Sequence, residues 1–199
     1  MRDLIFSPHD DDALIGCSSL LDGSVVVIVT DGSLGYTSLG QKDDIATIRR
    51  EEAELAYKIY ETQLIRLELP DMSLNPYECF KLPDGRVGLY NLFIKVIRNF
   101  RPRRIFVPNI LDEHPDHQVV HRAALVAVKQ ASSSILPDLG MSHKVEEVLQ
   151  YEVWNQVENR ILANQVDLKK KRKALGFFRS QGSILEEIPP LNQKEYFQI

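Results

Sequence analysis

The chain is short of cysteine, of long apolar runs and of excess basic charge. Two cysteines occur in 199 residues, Cys17 and Cys79, and neither belongs to a C-x-x-C pair. That excludes a disulfide framework and fits a reducing, cytoplasmic setting. No apolar run reaches the ~18 residues of a membrane helix, so no stable membrane insertion is expected. Arg2 and Asp3 lead straight into a strand, unlike a signal peptide. Lys plus Arg number 24 against 28 Asp plus Glu, a formal charge of −4, which argues against a nucleic-acid partner. The one basic run, KKKRK at 169–173, reads as the solvated face of a helix. The turn after the first strand lacks G-x-G-x-x-G, and its acidic residues would repel a pyrophosphate, which excludes a nicotinamide-binding Rossmann enzyme.

What is present is a core and a rhythm. Apolar residues make up 44% of the chain, enough for one domain spanning 1–199. Short runs rich in β-branched residues predict strands at 4–7, 24–30, 63–69, 103–109 and 145–154, with a further short strand at 165–167. Between them, apolar residues at helical spacing predict helices at 13–21, 43–61, 89–100, 117–133 and 168–180. Asp43 or Asp44 is placed to cap the second. The segment 70–88 is too rich in Pro and Gly for regular structure, and loops of that length are often functional. The alternation predicts an α/β fold: a Rossmann-like, mostly parallel sheet with helices on both faces. A homo-oligomer is compatible with it.

Ligands of such sheets bind beyond the carboxyl ends of the strands. Two polar clusters fall there: PHDDD at 8–12 after the first strand, and HPDH at 114–117 after the fourth. If those strands are neighbours, the loops meet. Together they offer histidines and carboxylates, the usual donors for catalytic zinc. His9 and Asp12 are three apart on a turn opening into a helix, so both side chains can point one way. Pro115 holds His114 extended and suits the first helical position. The positive end of that helix disfavours an imidazolium at His117, and a metal needs neutral imidazole. His121 shares the face of His117 and is an alternative ligand; His143 reads as a loop residue.

PHDDD paired with HPDH resembles the PIG-L (LmbE-like) family of zinc-dependent N-acetylglucosamine de-N-acetylases. Further segments are similar to that family: VTDG at 29–32, RREEA at 49–53, LPD at 69–71 and KRKALGFFRSQ at 171–181. The resemblance implies a metal held by His9, Asp12 and His117, most naturally zinc, although such sites also take ferrous iron. It implies Asp11 as general base, His114 as second catalytic group, and Asp116 orienting a histidine. The substrate would be an amino-sugar conjugate. The chain departs from the family at Asp10, usually proline; at Ala13, commonly glutamate; and at Phe178, usually histidine or another polar residue.

Zinc would activate the attacking water and polarise the amide carbonyl. Asp11 would take the water's proton, and a protonated His114 would help stabilise the oxyanion. Candidate substrate contacts are Arg49, through a phosphate or sugar oxygen or else as a surface ion pair; Asp31, to sugar hydroxyls or else as a turn residue before Gly32; and Gln181. Tyr151, Glu152 and Trp154 read as strand packing. Asp10 is expected to matter least of the three aspartates. Two alternatives stand beside the deacetylase: a metal-dependent glycosyltransferase using Asp10 and Asp12 as an Asp-x-Asp pair, and a sugar-binding descendant without turnover.

Overall fold

Val25 to Thr30 are buried without interruption, as strands covered on both faces must be. In the computed structural model, which describes residues 2–187 and 193–199, they form β2 (Val25–Thr30), beside β1 (Leu4–Ser7). The sheet continues with β3 (Gln63–Leu69), β4 (Arg104–Pro108), β5 (Glu147–Tyr151), β6 (Leu162–Gln165) and β7 (Lys194–Gln198). The spatial order is β3-β2-β1-β4-β5-β7-β6. The first five strands run parallel; β7 is antiparallel to both β5 and β6.

Alternate residues of each central strand enter different cores. Leu4, Phe6, Val25, Val27 and Val29 face α3 (Leu89–Phe100) and α4 (Pro115–Ala131). Ile5, Val26, Ile28 and Phe106 face α1 (Asp12–Cys17), α2 (Ile45–Lys58) and α5 (Leu168–Leu175). The chain winds outward from β1 to β3, then returns to place β4 on the other side of β1, with Leu4 opposite Ile105. The two polar loops therefore leave adjacent strands in diverging directions and open the crevice where α/β sheets bind ligands. A short helix, α6 (Gly182–Glu187), follows a 3₁₀ turn at Arg179–Gln181. No helix among the described residues is long and apolar enough to cross a membrane.

The C-terminal third departs most from expectation. The helix predicted over 168–180 ends at Leu175. The sixth strand lies at 162–165, ahead of the predicted 165–167. Strand β7 is absent from the sequence reading, because its inward residues include a glutamate. Glu195 is buried, accepting from the backbone N–H and hydroxyl of Ser18 and Ser19 and pairing with Lys171 Nζ at 2.8 Å. Lys171 is therefore a core residue, and the basic run is not simply a solvated face.

Candidate metal centre

Ser7 closes β1 and folds the following loop back on itself. Its hydroxyl donates to the His9 carbonyl at 2.6 Å and accepts from the Ala13 N–H at 3.0 Å. Asp11 occupies the N-cap of α1 but makes no capping bond, which leaves its carboxylate free to line a cavity. Asp12 opens the helix, and its Oδ2 accepts from the His9 N–H at 2.8 Å. Gly16 lets α1 lie against β5, since a Cβ there would overlap the Tyr151 ring and the Glu152 carbonyl oxygen.

The second loop is built around proline. His114 is extended (φ −74°, ψ 125°), as the residue before Pro115 should be. Its Nδ1 accepts from the Asp116 N–H at 3.2 Å, capping α4. His117 then lies fully buried in the first turn.

Three donor atoms converge between the loops. His9 Nδ1 is 3.0 Å from Asp12 Oδ2, His117 Nε2 is 3.2 Å from the same oxygen, and the two nitrogens are 3.2 Å apart. Tetrahedral zinc with bonds of ~2.0–2.1 Å requires donors about 3.3–3.4 Å apart, so the triangle has nearly the right size. The far nitrogens also meet carboxylates: His9 Nε2 lies 3.2 Å from Asp71 Oδ1, and His117 Nδ1 lies 3.3 Å from Asp112 Oδ1. A carboxylate behind each imidazole is the arrangement that orients metal-ligating histidines.

Two other groupings compete. His114 approaches His9 and His117, and Asp71 with Asp116 approaches His9. The carboxylates of the latter group are already engaged: Asp71 accepts from the N–H of Leu34 and Met72, and Asp116 from those of Met72 and Leu74. Asp116 Oδ2 lies 3.6 Å from His9 Nε2, on the orienting side of the ring. His121 turns away and meets the Pro108 carbonyl oxygen at 2.9 Å.

Burial and charge set the protonation pattern. Burial lowers the pKa of His117, but Asp12 and Asp112 overcome it and hold the value up at about 9. Burial likewise works downward on His9, yet Asp12, Asp116 and Asp71 hold it well above its usual value. The carboxylates around the two rings thus outweigh the helix N-terminus, and protons compete with a metal for both imidazoles. His114 moves the other way. Burial, reinforced by His9 and His117, lowers it to about 4. It is neutral at pH 7, contrary to the expected imidazolium, and because Nδ1 accepts a hydrogen bond the proton sits on Nε2. Burial raises the Asp11 pKa against the opposing pull of Arg49, with Asp12 and Asp10 adding to the rise.

The remaining candidates separate. Arg49 is buried, with Nε 3.5 Å from Asp10 Oδ2 and Nη2 3.4 Å from Asp11 Oδ1. It is neither a surface ion pair nor a guanidinium free for a phosphate. Gly35 makes room for it, since a Cβ there would collide with Nη1. Asp31 Oδ1 accepts from the N–H of Ser33 and Asp71, and so sits as a turn residue. Gln181 Nε2 donates to the Gly35 carbonyl at 2.8 Å at the cavity wall. Glu52 accepts from the Ser180 N–H and hydroxyl, which ties α2 to the 179–181 turn.

Asp10 corrects the sequence reading. It is fully buried, with Oδ1 2.7 Å from Arg66 Nη2 and Oδ2 facing Arg49. It turns away from Asp12, so the two do not form the Asp-x-Asp chelate of a glycosyltransferase. Asp71 enters the sequence reading only as part of the LPD segment, with no role, and Asp112 does not enter it. Both stand just beyond strand ends, after β3 and β4, which is the available signal. Trp154 lines the cavity, whereas Tyr151 packs in the core and donates to the Phe6 carbonyl.

Solved structures share this architecture. The conserved protein TT1542 of Thermus thermophilus superposes with a TM-score of 0.77 at 22% identity, over 100% of this chain and 94% of that one. N,N'-diacetylchitobiose deacetylase of Pyrococcus horikoshii gives 0.75 at 20% identity, covering 99% and 82%. GalB, the 4-carboxy-2-hydroxymuconate hydratase of Pseudomonas putida, gives 0.73 at 17%, covering 94% and 82%. One of these acts as a deacetylase and another as a hydratase, so the likeness establishes the fold and leaves the reaction to the site. The sequence is more specific: residues 4–128, which hold both polar loops and well over half of the chain, match the model of the PIG-L family, described as GlcNAc-PI de-N-acetylase, and the chain belongs to that family.

Proposed function

We propose that the protein is a zinc-dependent hydrolase that removes the acetyl group from an N-acetylglucosamine-type sugar or conjugate, giving acetate and a free amine. The observation that carries this reading is the His9–Asp12–His117 triangle with Asp11 outside it, facing the cavity. Zinc held by those three residues would lower the pKa of water to about 7 and polarise the amide carbonyl.

The chain's own groups supply the rest. Asp11 points into the cavity, and its raised pKa suits a base that must later return its proton. It takes a proton from the attacking water and then gives it to the amine nitrogen as the C–N bond breaks. Arg49 keeps Asp11 in place and limits the rise of its pKa. Neutral His114 can donate from Nε2–H to the carbonyl oxygen as charge develops there; loss of such a donor costs ~10²–10³ in rate. Asp71 and Asp112 hold the two ligand histidines in orientation. A reducing, cytoplasmic setting agrees with Cys17 and Cys79 as free thiols.

The test is a panel of N-acetyl sugars incubated with metal-loaded protein, with acetate and new primary amine both quantified. Equal yields of the two, abolished in Asp11→Asn, are expected. Bound metal with no amine from any sugar would replace this reading with sugar binding without turnover.

A further inference from the structure

The charge around the centre is one-sided. Six carboxylates are buried there: Asp10, Asp11, Asp12, Asp71, Asp112 and Asp116. Against them stand Arg49 and Arg66. Six carboxylates thus face two guanidiniums. Arg49 is the one Lys or Arg lining the cavity among the described residues, and its nitrogens face Asp10, Asp11 and Gly35. A phosphate carried by the substrate away from the metal would find no cationic side chain beyond Arg49, which already faces two carboxylates.

Much of the remaining wall is apolar. Ile15, Leu34, Met72, Val153, Trp154 and Ile184 line the cavity. Leu34 and Met72 are 51% and 55% exposed, and exposed apolar side chains grouped at a cavity mouth mark a binding surface. The cavity measures about 280 Å³, near the lower limit of ~300–1,000 Å³ for small-molecule sites. It has room for one sugar unit, with the remainder of a conjugate lying across the mouth.

From this we infer that the site selects uncharged N-acetylglucosamine conjugates carrying an apolar or aromatic aglycone, and discriminates against phosphorylated ones. The inference rests on the deacetylase reading and adds the substrate class. Trp154 supplies the platform for the aglycone, and the excess of carboxylates around a paired Arg49 supplies the rejection.

Trp154 is the only tryptophan of the chain, so its fluorescence reports binding without turnover. Metal-loaded protein is titrated with phenyl N-acetyl-β-glucosaminide, free N-acetylglucosamine and N-acetylglucosamine 6-phosphate, and kcat/KM is measured for each. The phenyl glycoside should perturb the emission at the lowest concentration and the phosphate at the highest, with kcat/KM in the same order. Trp154→Ala should raise KM for the phenyl glycoside by about two- to tenfold more than for the free sugar, the range of an aromatic contact. Leu34→Lys, at an exposed position that spares the core, should shift the ratio of kcat/KM towards the phosphate. Turnover of the phosphate equal to or better than that of the phenyl glycoside in the unaltered protein would overturn the inference and leave the deacetylase reading intact. Amine release from none of the three would overturn both.

Discussion

Removing the Asp10 side chain should damage the protein far more than its place in an acidic triplet implies. The carboxylate is fully buried, 2.7 Å from Arg66 Nη2 and 3.5 Å from Arg49 Nε. Arg49 is 4% exposed, and the Arg66 side chain 14%. Asp10→Ala leaves two buried guanidiniums short of a counter-charge. Breaking a buried pair from one side costs about 3–5 kcal/mol. For a domain of this size each kcal/mol lowers Tm by ~2–4 °C, so a fall of roughly 6–20 °C is expected. Asp10→Asn should cost less, because the amide keeps the volume and a carbonyl dipole facing the guanidiniums. Urea denaturation and thermal unfolding measure the loss, and Arg66→Met completes a double-mutant cycle. The double variant should lose clearly less than the two singles added, because removing Arg66 removes much of the uncompensated charge. Additive losses, or a Tm for Asp10→Ala within about 2 °C of the parent, would refute the buried-charge account. Activity gives an independent reading. Without Asp10, Arg49 should draw closer to Asp11, lower its pKa and weaken it as a base, so kcat should fall more than KM rises.

Asp112→Asn should weaken metal binding by about 10–100-fold, read by chelator competition, while kcat at saturating metal changes much less. Asp12→Asn should empty the site, whereas Asp11→Asn should retain the metal and lose ~10²–10⁴ in turnover; metal loss in Asp11→Asn would mean that base and ligand are wrongly divided. Gly16→Ala forces a methyl into Tyr151 and Glu152 and should cost about 1–3 kcal/mol in urea unfolding; a loss below that range would show that α1 shifts freely against β5.

The parts legible in the sequence were those where local pattern and tertiary role agree. β-Branched runs became buried strands, and Pro115 opened a helix with His114 before it. The meeting of PHDDD and HPDH needed one further fact, the pairing of β1 with β4, which no local signal carries. The role of Asp71, visible only as part of LPD, and that of Asp112 are illegible because each is a single aspartate in a polar loop. Their part comes from facing a histidine supplied by another segment. β7 and Lys171 were hidden for a related reason. A glutamate and a lysine are read as exposed, yet at 2.8 Å they neutralise one another and can both be buried.

Direction also lets one acidic triplet do three different jobs. Adjacent residues on a tight turn point in different directions, so each carboxylate meets a different neighbour. Asp10 meets guanidiniums from α2 and β3, Asp11 the cavity and the edge of Arg49, and Asp12 the two histidines. Residue type alone gives all three the same prior, and only direction separates them. Two guanidiniums engage Asp10, and Asp12 is held well below the usual carboxylate range by His117 and His9 despite its burial. Asp11 has one distant arginine contact against burial and two like-charged neighbours. Its proton is easier to add and remove than that of Asp12, which is what a general base requires and what a metal ligand cannot offer.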